Sequence, residues 1–226
     1  MKFNRQSMLA SLGLSLHMQG LVPSLAATAG GMALALASTL AQAQVVAPDA
    51  LIRQLSEDVI NTVKSDKAIQ AGDLARIQAL VDTKVIPNVN FQRMTASAVG
   101  RFWRQASPEQ QKRLQEEFKT LLVRTYAGAL KEVRDQTVQM KPYRAAAEDT
   151  EVVVRTEVRG KGDPIQLDYR LEKGASGWKI YDINVLGIWL ADQYRNSFAQ
   201  EIGTNGIDGL IKALSDKNAK AAAAKA

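Results

Sequence analysis

The hydrophobic pattern of this chain changes period once, near residue 136, and that change limits the folds open to it. From 49 to 134 apolar side chains recur at helical spacing. Leu51, Leu55, Val59 and Val63 share one helix face, as do Leu74, Ile77, Leu80 and Val81. A longer stripe of Leu114, Phe118, Leu121, Leu122, Thr125, Tyr126, Ala129, Leu130 and Val133 follows. From 136 to 186 the period is two, so alternate residues form an apolar and a polar face. Helix stripes followed by half-apolar strands cannot each bury their own face, and packing one set on the other gives an α+β fold: a twisted antiparallel sheet covered by several helices.

Local signals mark the boundaries. Pro48-Asp49 opens the first helix, Asp73 is a cap for the second stripe, and that helix stops before Pro87. A short helix runs from Phe91 to Trp103. Ser107-Pro108-Glu109-Gln110 is a capping box with proline at the first helical position. The helix it opens is about 25 residues, roughly 40 Å, long. Val138 and Met140 alternate before Pro142, and Val152, Val154, Thr156 and Val158 share a strand face. Gly160 to Pro164 turns the chain into Ile165, Leu167, Tyr169 and Leu171, and 172–177 turns it again. In the strand that follows, Trp178 and Ile180 fall on one face, but Tyr181, Ile183 and Val185 on the other. Either both faces are covered or a bulge re-aims the strand. Leu190, Tyr194 and Phe198 form a last helix, broken at Gly203 to Gly206, and 217–226, rich in Lys and Ala, is expected to be a disordered tail.

Residues 6 to 48 hold no Lys, Arg, Asp or Glu, and the apolar run Gly20–Leu40 ends in Ala41-Gln42-Ala43, the small-x-small pattern of a signal-peptidase site. A retained anchor is the competing reading of the 21 uncharged residues, although their Ala, Gly, Ser and Thr content makes a weak span. Cleavage after Ala43 leaves 183 residues of net charge +4, read as one domain over 44–216 in an exported, periplasmic protein. The cleavage also removes His17, the sole histidine, from a chain that has no cysteine. A mature chain without His or Cys is closed to thiol nucleophiles, Ser-His-Asp triads, His bases and Cys-bearing zinc sites. The charge is small and spread along the chain, and gives no footprint for nucleic acid.

Few residues invite chemistry. Gly160-x-Gly162 lies between strands and reads as a hairpin turn rather than a phosphate loop. Glu116-Glu117 lies on the wet side of the long helix, and Glu148, Asp149 and Glu151 lead into a strand. Asp182, between Tyr181 and Ile183, is either a buried acid with a shifted pKa or a carboxylate that caps backbone or pairs with an Arg. An isomerase or hydrolase using Asp182 with Tyr181 is therefore an alternative, as is an interaction module with a filled core. The aromatic residues on the apolar faces form either a packed core or the lining of a cavity, and periodicity does not separate the two.

Three ordered blocks carry a resemblance. They are Val85-Ile-Pro-Asn-Val-Asn-Phe91-Gln-Arg-Met94, then Val99-Gly-Arg-Phe-Trp-Arg104 through Gln110, then Phe118-Lys-Thr-Leu-Leu-Val-Arg-Thr-Tyr126 through Leu130. Together with Gly177-Trp-Lys-Ile-Tyr-Asp-Ile183, Gly187, Tyr194-Arg195 and Phe198, they resemble the MlaC-type family, the toluene-tolerance auxiliary proteins of Gram-negative phospholipid transport. The chain departs from the family pattern at Leu186, where an acidic residue is usual before the glycine, and at Asn90, where Asp is common. The resemblance implies a cone-like (NTF2-like) architecture enclosing an apolar pocket, and a soluble, monomeric carrier without catalysis, metal or cofactor. Its cargo is a glycerophospholipid, shuttled between an outer-membrane lipoprotein with porin and an inner-membrane ABC transporter complex with its lipid-channel subunit, in maintenance of outer-membrane lipid asymmetry. The implied pocket residues are Phe91, Phe118, Leu121, Leu122, Tyr126, Val152, Val154, Leu167, Tyr169, Leu171, Trp178, Ile180, Ile183, Val185, Leu190, Tyr194 and Phe198. Two acyl chains of roughly 15 carbons would cost on the order of 25 kcal/mol to bring bare into water, at about 0.8 kcal/mol per methylene, so a dry slot is what such a carrier needs.

Overall fold

A computed structural model describes residues 46–223; the expected signal segment and its cleavage site lie outside the described residues. Among the described residues six helices and five strands follow the expected order of helices, strands and a helical return, with a short second helix and a short fifth strand that the periodicity did not indicate. The helices are α1 (Pro48–Ser65), α2 (Lys67–Ala71), α3 (Leu74–Leu80), α4 (Phe91–Val99), α5 (Pro108–Lys131) and α6 (Leu190–Ala223). The strands are β1 (Thr137–Met140), β2 (Glu151–Arg159), β3 (Ile165–Gly174), β4 (Gly177–Val185) and β5 (Ile188–Trp189).

Short polar side chains start α2, α3, α4 and α5 by accepting otherwise unpartnered backbone N–H groups. Asp66 accepts from Ala68 and Ile69, Asp73 from Ala75 and Arg76, and Asn90 from Arg93. At α5 the reciprocal box is complete: the Gln110 N–H donates to Ser107 Oγ at 3.2 Å, and the Ser107 N–H to Gln110 Oε1 at 3.0 Å. After α3 the chain does not stop before Pro87. It stays coiled through a π-helical turn, Val81–Val85, and a 3-10 turn, Ile86–Asn88, in which Pro87 needs no N–H donor.

The sheet is an antiparallel meander, β1-β2-β3-β4-β5. Pairing of Val154 with Tyr169, and of Tyr169 with Ile183, sets the apolar residues of three strands on one face. The broken parity of β4 is a bulge. Leu171 pairs with Ile180 but Arg170 pairs with Asp182, so Tyr181 is an extra residue and both Ile180 and Ile183 point toward the helices.

Three buried clusters hold the domain. Val63, Ile69, Ile77, Leu80, Val123 and Ala127 join α1, α2, α3 and α5. Met94, Ala98, Val99, Leu114, Phe118, Leu121, Phe198, Ile202, Leu210 and Leu214 join α4, α5 and α6. Ile52 of α1 closes on Val154, Leu171 and Ile180 of the sheet. Gly206 (φ 74°) kinks α6, a conformation that glycine adopts without strain, and Leu210 and Leu214 beyond the kink pack into the second cluster.

The expected tail from Lys217 is helical as far as Ala223. Asn218, only 5% exposed, donates from Nδ2 to the Glu117 carbonyl at 3.0 Å and to Glu117 Oε2 at 2.8 Å. This anchor on α5, added to the helix preference of alanine and lysine, extends the domain beyond 216.

Candidate functional site

The implied pocket residues divide between two clusters that meet at Ile183. Phe91, Leu122, Ile183 and Tyr194 pack around buried Phe118, Leu121 and Phe198. Val152, Tyr169, Trp178 and Ile183 pack around buried Val154, Leu171 and Ile180. Tyr126, Leu167, Val185 and Leu190 belong to neither set.

The first set has an aromatic hub. Phe118 meets Tyr194 and Phe198 edge to face, at 5.1 and 5.4 Å between ring centres, and Phe91 at 6.0 Å. Each such pair adds about 1 kcal/mol beyond burial. With no exposure at all, Phe118 is filled core, and so are Leu171 and Ile180. The side chains that keep free surface are Phe91 on α4, Leu122 and Tyr126 on α5, Tyr194 on α6, and Val152, Leu167, Tyr169, Trp178, Ile183 and Val185 on the sheet, all half-buried. The Tyr126 hydroxyl reaches Gln193 Oε1 of α6 at 3.5 Å. Burial pushes the Tyr126 phenol above its ordinary value, with the Tyr194 phenol beside it adding to the rise. Burial likewise raises Tyr169, against the Ser56 and Thr156 hydroxyls. These residues form a surface that is apolar, aromatic and uncharged, with a few neutral hydroxyls.

Trp178 has a second environment. With Ala47, Pro48, Tyr143, Ala145, Lys173 and neighbouring residues it lines a groove of about 630 Å³ where α1 begins. Tyr143 there, and Leu51, Ile52 and Leu55 on α1, are contributors to the sheet cluster that the sequence reading did not assign to the pocket. The spacing of the α1 residues carried the signal. Tyr143, alone in an irregular loop, had none.

The opposite face of the sheet is polar, and most of its charged groups are paired; an exception is Asp168, 5% exposed, whose Oδ2 accepts from Gln166 while its Oδ1 has no partner among the described residues. Asp182, 1% exposed, accepts from the Ile183 N–H at 3.0 Å and the Ala191 N–H at 3.2 Å, and Arg170 donates to its second oxygen at 3.1 Å. It caps α6 from a neighbouring strand. Burial raises its pKa, while those two N–H groups and Arg170 oppose the rise. The Arg170 guanidinium stacks 3.8 Å from the Trp189 ring. Tyr181 donates to Glu151 Oε2 at 3.0 Å and lies under the Arg93 guanidinium, 3.6 Å away. Arg93 pairs with both Glu151 and Glu172. Asn90, where the resembled family commonly has Asp, accepts from Arg93 at the α4 cap and also donates to Glu172, which a carboxylate would not do. Asp182 and Tyr181 are thus held by different partners, and their arrangement is that of a structural clamp. Among the described residues no group of three or more His, Cys, Asp or Glu is placed to hold a metal ion, and no helix is long and apolar enough to cross a membrane.

A helix-covered sheet with an uncharged, half-buried apolar face defines the class: a small α+β domain that leaves part of its apolar face accessible. The chain belongs to the MlaC family, whose model, described as MlaC protein, matches residues 53–216. It is 22% identical over 168 residues, 73% of this chain and 78% of the relative, to the intermembrane phospholipid transport system binding protein MlaC of Haemophilus influenzae. It is 32% identical over 108 residues, about half of each chain, to the toluene tolerance protein ttg2D of Pseudomonas putida. Among solved structures, a phospholipid-binding protein from Ralstonia solanacearum, in complex with a phospholipid, superposes with a TM-score of 0.76 at 49% identity. The match covers 78% of this chain and 99% of that one.

Proposed function

We propose that this protein is a periplasmic carrier that takes up a glycerophospholipid, buries its acyl chains against the half-buried lining and delivers it between membrane complexes. The observation that carries the reading is the 49% identical match, across nearly the whole of a protein solved with a phospholipid. The wall is best assigned to Leu122, Tyr126, Val152, Leu167, Tyr169, Ile183, Val185 and Tyr194, because these apolar side chains retain surface while the residues behind them are filled core. An uncharged lining matches the bilayer interior, so uptake exchanges one apolar environment for another, and the roughly 25 kcal/mol cost of exposing bare chains is never met.

No covalent step belongs to this role. The sequence holds no nucleotide-binding motif, so direction comes from the complexes at either end, the outer-membrane lipoprotein with porin and the inner-membrane ABC transporter with its lipid-channel subunit, or from a downhill lipid gradient. Native mass spectrometry of protein purified gently from cells should show a monomer carrying one diacyl lipid mass. Only lipid-free protein would overturn the reading.

A further inference from the structure

On the helix-facing side of β3 and β4, the stretch from the Leu171–Ile180 pair to the turn after β4 goes from buried to exposed. The Leu171–Ile180 pair is buried, at 0% and 1%. One step on, Tyr169 and Ile183 are half-buried, as are Leu167 and Val185 one step further. Beyond them the strands end in Ile165 at 41%, Ile188 at 55% and Leu186 at 64%, three of the four exposed large apolar side chains among the described residues. Isolated surface apolar residues need no explanation, but these three adjoin. Ile188 pairs with Val185, and the Leu186 N–H donates to the Gln166 carbonyl, next to Ile165, at 3.1 Å.

Leu186 is also the one non-glycine residue with positive φ among the described residues, at 52°. That conformation is disfavoured for a bulky L side chain, which asparagine or glycine would occupy more easily. The turn is nonetheless pinned at both ends, by the Leu186 bond to Gln166 and by the Gly187 N–H donating to Asn184 Oδ1 at 2.8 Å. The fold therefore tolerates strain to hold a leucine outward, where it adds nothing to the core.

We propose that Ile165, Leu186 and Ile188 form the apolar lip of the portal through which acyl chains enter and leave, continuous with the wall at Leu167 and Val185. The inference rests on the carrier reading and adds the route. The occupant is a phospholipid chain in transit: the strip leads without a charged step from the wall to solvent, and a chain crossing it exchanges apolar contacts one at a time. The lip lowers the barrier to crossing. It does not hold the stored lipid.

The test separates rate from occupancy. Full-length exported protein carrying Ile165→Thr, Leu186→Asn and Ile188→Thr keeps strand-compatible side chains and relieves the positive-φ strain. Transfer of a pyrene-labelled phosphatidylglycerol between vesicles of phosphatidylethanolamine and phosphatidylglycerol should slow about tenfold, as the loss of roughly two methylene contacts implies. Lipid occupancy by native mass spectrometry should stay at the parent level. Transfer at the parent rate overturns the portal, and loss of occupancy overturns it too, because the lip would then be wall. A parent protein that carries no lipid instead sinks the carrier reading itself. As a second measurement, the cysteine-free chain allows one bimane label at Leu186→Cys or, at the far end of the sheet, at Ser176→Cys. A phospholipid brominated in its acyl chains should quench the first label and not the second; equal quenching overturns the proposal.

Discussion

On β3 the odd-numbered residues from Ile165 to Leu171 face the helices, and the even-numbered ones from Gln166 to Glu172 face away. The two faces share one backbone and are organised differently. On the polar side, side chains are linked into clamps: Arg93 with Glu151, Glu172 and Tyr181, and Arg170 with Asp182 and Trp189. On the apolar side of β3 and β4 the Leu171–Ile180 pair is buried and Leu167 and Val185 are half-buried, while on β2 Val154 and Thr156 stay buried. A protein that must leave room for an apolar guest gives up some cohesion on that face. Here the polar face supplies directional contacts that fix α4 and α6 against the sheet edge.

Substitutions on the two faces should therefore separate binding from stability. The largest effect is expected from Leu167→Asp, which puts an unpaired charge where acyl chains would lie at a cost of several kcal/mol. Lipid occupancy by native mass spectrometry should vanish while the circular dichroism spectrum stays native, and normal occupancy would show that Leu167 is not wall. Asp182→Ala removes the α6 cap and the partner of Arg170 together. Urea unfolding should show a loss of about 2–4 kcal/mol, with any protein still folded retaining its lipid. Arg93→Ala breaks a half-exposed clamp and should cost less, about 1–2 kcal/mol, again with occupancy intact. A fall in occupancy at unchanged stability in either variant would join the two faces functionally and break the comparison.

The smallest effect is in pH dependence, and the two clamps differ in sign. Arg93, aided by the Tyr181 hydroxyl, holds Glu151 below the ordinary glutamate value of 4.5. Its contribution is complete above that value and is lost as pH falls through the lowered one. Asp182 is raised above its ordinary 3.8, chiefly by burial. Ionisation there opposes folding, so acidification through the interval between 3.8 and its raised value favours the native state. Urea midpoints followed across the acid range should show Glu151→Gln flattening the acid-side loss and Asp182→Asn steepening it; the reverse pattern would mean that the signs are misassigned.

Much of this could be read along the chain. The α5 cap depends on Ser107 and Gln110, three residues apart, and the alternation of β2 and β3 depends on neighbours two apart, so both are visible in a short window. The apolar lining was legible as a set of faces. Its division was not: Phe118 and Tyr126 lie on the same helix stripe, yet one is filled core and the other half-exposed, because α6 sets the rings of both Tyr194 and Phe198 edge-on against Phe118. Tyr143 was missed because a single aromatic in a loop has no period.

Residues a few positions apart, or ordered blocks, were enough to give the main helices and the strands β1 to β4 in order, the caps at Asp73 and Ser107, the polarity of each face and the family to which the chain belongs, but not α2, β5 or the caps at Asp66 and Asn90. It took the folded arrangement to show that the parity break in β4 is a bulge at Tyr181, that Asp182 caps a helix, that the chain stays helical through Ala223 with Asn218 anchored on α5, and that Ile165, Leu186 and Ile188 are exposed. Each of these depends on groups brought together by strand register or helix packing, and such contacts leave no local pattern in the chain.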